Sequence, residues 1–159
     1  MHSLPTDLKS DLAQLLKEIK PNRFLLIGDG LALEASDMPE VQQISAAGSL
    51  SALEDLGRFD LVIVLGALNS LDKKHGELLL GSLKNLHAKR LLLSHSPCPE
   101  WSLSDFLAFA MSELNHYPAD ADSPEQQLFE YNIFSYKSVP DWLNNQFWAN
   151  PKMWDKGRW

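Results

Sequence analysis

The chain has 159 residues and one cysteine, Cys98, so no disulfide can form within it. A lone thiol fits a reducing compartment, and the expected location is cytoplasmic. No apolar run approaches the ~18 residues of a membrane-spanning helix, so no membrane association is expected. The start, Met1 to Asp7, has neither the basic nor the apolar region of a secretory leader. Positive charge is also scarce: 14 Lys and Arg stand against 21 Asp and Glu, for a formal charge of −7. Gripping a phosphate backbone requires a basic footprint, so nucleic acid is not an expected partner.

Apolar residues make up 45% of the chain, too many for a disordered acidic polymer. The length suits one domain with a real core and leaves no room for a separate substrate domain. Aromatics crowd toward the end: of 5 Trp, 3 Tyr and 7 Phe, eight lie between Tyr131 and Trp159. From Lys137 onward four cations oppose Asp141 and Asp155, so this stretch is mildly basic against an acidic body. The expected organisation is an α/β domain over residues 1–137 and an aromatic-rich extension over 138–159 packed on it. Trp142, Phe147 and Trp148 can cover a sheet face. With Trp154 and Trp159 they can instead dock a protein partner or a second copy, since Trp is favoured at such contacts. A third reading has the indoles stacking on a flat ligand ring.

Leu8, Leu12, Leu15, Leu16 and Ile19 follow helical spacing, which predicts a helix over 6–20 closed by Pro21. Arg23 to Ile27 is a short apolar strand ending in the turn Gly28-Asp29-Gly30. A short helix is expected over 31–36, a strand over 41–45, and a helix capped by Ser49 or Ser51 and stopped at Gly57. Phe59 to Gly66 is the strongest strand. A helix follows from Asp72 through Leu86, then an apolar strand over 89–95. Ser102-Leu103-Ser104-Asp105 has capping-box spacing and predicts a helix to about Asn115. A loop is expected over 117–127, a strand over 128–137 and a helix over 140–148. Strands apolar on both faces and separated by helices predict a three-layer, mostly parallel sheet with helices on each side and ligands at the strands' carboxyl ends.

Phe24-Leu25-Leu26-Ile27-Gly28-Asp29-Gly30 resembles the first motif of class I S-adenosylmethionine-dependent methyltransferases, a strand running into a glycine-rich turn. Phe59 to Leu71 is similar to that family's fourth motif, and Arg90 to Ser94 to its fifth strand. The resemblance covers roughly residues 23–137 and implies a shortened Rossmann-like fold. It implies S-adenosylmethionine or S-adenosylhomocysteine as the ligand, at Gly28, Asp29, Gly30, Ser45 and Gly66. Several family features are missing. Leu26 stands where the first strand normally carries an acid, Ala32 where a third glycine would be, and no carboxylate ends the strand at Val41 to Ser45. Phe59 follows Gly28 by 31 residues, about half the family's usual interval, so a strand-helix unit is expected to be lost or shrunken. Each missing charge-assisted bond forfeits about 1.5–3 kcal/mol of cofactor affinity. The C-terminal residues, from Tyr136-Lys137-Ser138-Val139-Pro140-Asp141-Trp142 through Trp154-Asp155-Lys156-Gly157-Arg158-Trp159, resemble the ending of a small family of uncharacterised bacterial proteins.

Asn69 and Ser70, just past the strongest strand, can bond a substrate or can end the strand and cap the next helix. His95 and Cys98 are the one close pair of reactive side chains. A Cys-His nucleophile needs an orienting third group, and a metal needs three or four ligands where only His116 is near, so no metal is expected. Asp60, at the strand's entrance, is expected to be structural. Two functions follow: a methyltransferase-like binding or assembly module that has lost its cofactor contacts, or a small working methyltransferase whose substrate side is formed by Asn69, Ser70 and His95.

Overall fold

A computed structural model describes residues 4–28, 40–45 and 49–133. In chain order the elements are α1 (Thr6–Ile19), β1 (Arg23–Ile27), β2 (Glu40–Ile44), α2 (Ser49–Leu53), β3 (Phe59–Leu65), α3 (Ala67–Ser70), α4 (Lys73–Ser82), β4 (Ala88–His95), α5 (Leu103–Ala108), β5 (Ser112–Tyr117) and β6 (Gln126–Asn132). A π-helical turn, Leu83–His87, joins α4 to β4.

The strands form one sheet in the order β2-β1-β3-β4-β6-β5. The first four are parallel; β6 runs antiparallel to β4, and β5 antiparallel to β6. Alternation along the three central strands sorts their side chains into two cores. Phe24, Leu26, Leu61, Ile63 and Leu92 meet the stripe Leu8, Leu12 and Leu16 of α1. Leu25, Val62, Val64, Leu91 and Leu93 meet Leu53, Leu68, Leu79, Leu80 and Phe106 of α2 to α5. Helices therefore cover both faces, which gives the three-layer arrangement expected of strands with no polar side. Outside β1 the sheet has a single further strand among the described residues, in keeping with the short interval between Gly28 and Phe59.

Asp60 fastens the amino-terminal edge. One carboxylate oxygen accepts the backbone N–H groups of Asn22 (3.1 Å) and Arg23 (3.2 Å), and the other accepts Lys89 Nζ (3.1 Å). A single side chain thus ties together the entrances of β1, β3 and β4. The bond from Lys89, backed by the two amides, holds the Asp60 carboxyl below its ordinary value against the opposing effect of burial.

Two stretches differ from expectation. The helix predicted from Ser102 to Asn115 stops at Ala108, and residues 112–117 form the edge strand β5. Asp105 accepts the Ser102 N–H at 2.8 Å, so the start is capped as the spacing requires. The stop is a Schellman motif: Met111 N–H donates to Phe106 O (3.0 Å) and Ala110 N–H to Leu107 O (2.9 Å), with Ala110 at φ 59°. Beyond it, pairing with β6 overrides helical propensity. Tyr117 and Gln126, placed in a loop from sequence, are the facing ends of β5 and β6. The helix expected from Asp72 through Leu86 is preceded by a separate turn, α3, and unwinds into the π-helical turn. The helices expected over 31–36 and 140–148 and the boundary at 137/138 lie outside the described residues.

Two outcomes are expected from this packing. Ala110→Gly removes a left-handed conformation that costs an L-residue about 1 kcal/mol, and should raise the urea midpoint accordingly. Asp60→Asn should cost about 1–2 kcal/mol near neutral pH. Because the folded Asp60 pKa is depressed, its contribution is full above the unfolded value of ~3.9 and fades as pH falls through the folded value. The gap between wild type and variant should therefore narrow as urea titrations move from about pH 6 toward pH 3.

Candidate functional site

Parallel sheets offer their sites at the carboxyl edge, where the strand-to-helix turns leave backbone groups and side chains together. Here the neighbouring strands β2, β1, β3 and β4 bring Ser45, Gly28, Gly66 and His95 onto that edge, with Asn69 and Ser70 following Gly66 in α3. Asp29 and Gly30 lie outside the described residues.

The two described glycines of the edge differ in what holds them. Gly28 has φ 107°, and a Cβ there would lie 2.3 Å from the Leu65 carbonyl oxygen. Its N–H donates to Ile44 O (3.0 Å), and its own carbonyl accepts Gln43 Nε2 (3.2 Å). Glycine is thus required by the approach of β3, and both backbone groups are engaged by β2. Gly66 has φ 67°, with no heavy atom of the described residues within 4 Å of a Cβ built on it. Its N–H donates to Ser94 O (3.1 Å), fixing the end of β3 to β4. Ser45 is exposed just past β2, which ends without a carboxylate.

Asn69 is a clamp. Its Nδ2 donates to Ser96 O (2.9 Å) and its Oδ1 accepts Ser96 N–H (3.1 Å), so both ends of the amide engage the chain leaving β4. Ser70 Oγ bonds back to Gly66 O at 3.5 Å within α3. Neither residue caps a helix at Asp72, the second role that sequence spacing suggested. Ser94 and Gln126 extend the stapling across β6, with Ser94 Oγ 2.9 Å from Gln126 Oε1. Ser96 Oγ donates to Glu125 O at 3.0 Å.

His95 turns to the opposite face from Ser94 and is completely buried, its ring centroid 5.2 Å from that of Phe106. Burial, and secondarily the Lys73 ammonium, push its pKa down to about 4, so the imidazole is neutral near pH 7. Lys73 Nζ stands 3.9 Å from the Trp101 ring centroid and bonds Glu100 O and the Asp105 carboxylate, each at 2.8 Å. That contact, followed by the bonds from Ser102, holds Asp105 at about 2. Cys98 is half-buried in the turn that Trp101 N–H closes on its carbonyl. Sequence reading did not single out Lys73, Trp101 or Phe106; of this cluster only the Ser102–Asp105 spacing was an available signal.

At the β5 end of the same edge an open groove of about 660 Å³ runs between α1 and β5, lined by Asp7, Asp11, Asn115, His116, Tyr117 and Asp120 among others. The Tyr117 hydroxyl donates to Asp11, and burial followed by that carboxylate raises the phenol's pKa, which keeps the proton in place. His116 pairs with Glu125. Among the described residues no group of three or more His, Cys, Asp or Glu is placed to hold a metal, and no helix is long and apolar enough to cross a membrane.

Sheet order, the antiparallel β6 and the glycine turns at the carboxyl edge define a methyltransferase-like, Rossmann-like protein. The methyltransferase domain of bacterial CtHen1 superposes with a TM-score of 0.51 over 79% of this chain and 97% of that one, at 9% identity. Magnesium protoporphyrin IX methyltransferase from Synechocystis PCC 6803 was solved with bound SAM and with bound SAH. It superposes with TM-scores of 0.52 and 0.54 at 12% identity, over 77% and 78% of this chain and 78% and 81% of those. Identities this low speak for the fold alone. In sequence, residues 6–159 match a family of unknown function (DUF6231), and the chain belongs to that family. No curated protein matches it.

The unequal glycines give a direct test of the edge. Gly28→Ala meets both a disfavoured φ and the Leu65 carbonyl and should cost about 3 kcal/mol or more. Gly66→Ala meets only the backbone cost of about 1–2 kcal/mol. Urea midpoints of the two variants should differ in that order, and equal losses would show that the Leu65 contact does not govern Gly28.

Proposed function

We propose that this chain uses a methyltransferase-like fold as a binding or assembly module rather than to transfer methyl groups. The observation that carries the reading is the Gly28 turn, whose N–H and carbonyl are both bonded to β2. The strand ends beside it offer Leu26 and Ser45 in place of carboxylates. A cofactor there would lack two charge-assisted bonds, each worth about 1.5–3 kcal/mol, or roughly one to two decades of affinity. Asn69, bonded at both ends to Ser96, is held in a structural role on the substrate side. The module reading includes a cytoplasmic, bacterial setting and a protein partner or second copy engaged through Trp142, Phe147, Trp148, Trp154 and Trp159.

The second reading is an active small methyltransferase. The space that the described residues leave beyond Gly66 favours it, as does the resemblance to a fold solved elsewhere with bound SAM and SAH. In that case Gly28, Asp29, Gly30, Ser45 and Gly66 would hold the cofactor, with Asn69, Ser70 and His95 toward the substrate.

Titration calorimetry of the full chain with S-adenosylmethionine and S-adenosylhomocysteine separates the two. No heat at millimolar ligand is expected, and a dissociation constant in the micromolar range for either compound would replace the module with the enzyme.

A further inference from the structure

Three features converge beneath α5. The His95 ring is 0% exposed, and among the described residues neither imidazole nitrogen has a hydrogen-bond partner. Trp101, 5% exposed, has an equally unpartnered indole N–H. Buried polar side chains are nearly always partnered, so two orphans against one ring demand a physical reason. That ring is Phe106, whose centroid lies 5.4 Å from Trp101 and 4.2 Å from Phe129. Interplanar angles of 20° and 21° make it the middle member of a stack, with His95 tilted at its side. A phenyl ring offers neither orphan a conventional hydrogen bond.

The third feature is the helix that carries the ring. At six residues α5 has little stability of its own. Its outer side leaves Leu103 53% and Leu107 57% exposed, and it ends on the left-handed Ala110. Among the elements that close the core, α5 therefore has the makings of a locally opening segment.

We propose that the slot filled by Phe106, between the Trp101 and Phe129 rings and edged by His95, is a binding site for a flat, uncharged heteroaromatic ring, with Phe106 as the protein's own plug. A ligand ring in that slot keeps the aromatic stacking on Trp101 and Phe129 and can give His95, tilted at its side, the hydrogen-bond partner the phenyl lacks. The two nitrogens of the neutral imidazole point away from each other, one as an N–H and one as a lone pair. One of them at a time can bond a ligand ring, which suits a ring that carries both an acceptor and a donor. The nearest cation does not call for an anion: Lys73 is already engaged by Asp105, the Glu100 carbonyl and the Trp101 face. The site sits on the α4/α5 side of β4, so it stands or falls apart from cofactor binding at Gly28 and Gly66.

The test pairs 2-aminopyrimidine with toluene, rings of equal heavy-atom count, in nitrogen-15 NMR titrations of the full chain. In the wild type, 2-aminopyrimidine is expected to shift the His95 imidazole and Trp101 indole resonances. In Phe106→Ala it should bind roughly 10-fold tighter or more, because the plug no longer competes, and in preference to toluene. Adding His95→Leu should abolish that preference. Absence of shifts at His95 and Trp101 in the wild type at millimolar 2-aminopyrimidine overturns the proposal. So does toluene binding Phe106→Ala as well as 2-aminopyrimidine does, since the slot is then ordinary apolar core. Should Phe106→Ala fail to fold, Phe106→Leu replaces it and the wild-type titration decides alone.

Discussion

At the carboxyl end of β1 the backbone passes so close to β3 that even a methyl group on Gly28 would collide with the Leu65 carbonyl. The rest of the edge depends on this approach. It lets β1 and β3 keep their pairing to the last residue, with Ile27 opposite Val64, and it turns the Gly28 N–H and carbonyl outward to meet β2. Since β2 is the outermost described strand on that side, these two bonds add to its ladder to β1 and to the packing of Ile44 on the core in holding it. Gly28, which opens the turn that resembles a ligand cradle in sequence, thus fastens an edge strand through its own backbone groups.

The same economy runs along the remainder of the edge. Asn69, Ser94, Ser96 and Gln126 satisfy one another or nearby backbone, joining α3, β4 and β6. At the opposite edge Asp60 does this for β1, β3 and β4 with one carboxylate. Both ends of the sheet are held by side chains bonded to backbone, while both faces are held by apolar burial. Polar residues at the carboxyl edge therefore have a structural explanation before a catalytic one is needed. His95 is the exception, because nothing among the described residues bonds it.

The central architecture was legible because β1, β3 and β4 each carry an unbroken apolar run (24–27, 61–65 and 91–93), a pattern that a sheet covered on both faces buries. The Asp60 role was legible from its place at a strand entrance. The stop of α5 was not, since alanine at 110 gives no warning of a left-handed residue. The edge strand Ser112–Tyr117 was equally hidden: its first five residues are exposed, and only its ladder to β6 makes it a strand. The resemblance placed Gly28, Ser45, Gly66 and His95 on one edge, because strand order fixes that. It did not reveal which of their polar groups were already spent, which depends on rotamers of Gln43 and Asn69 that no motif specifies.

The balance of forces on α5 follows from the same accounting. Its charged tether, Lys73 to Asp105, is solvent-accessible at both partners, and pairs in such surroundings contribute little. The Phe106 side chain, fully buried between two rings, contributes more, on the order of 1.5–3 kcal/mol. Against it stand the unpartnered imidazole and indole N–H, each buried polar group costing about 1–3 kcal/mol when left unbonded. The opposing terms are of similar size, so α5 is held by one ring whose burial is largely offset by the groups it covers. Elsewhere among the described residues no buried side-chain nitrogen or oxygen lacks a partner. A partner that bonds His95 while preserving the stack would remove part of the opposing term without forfeiting the stabilising one, which makes this corner of the fold readily altered by what binds to it.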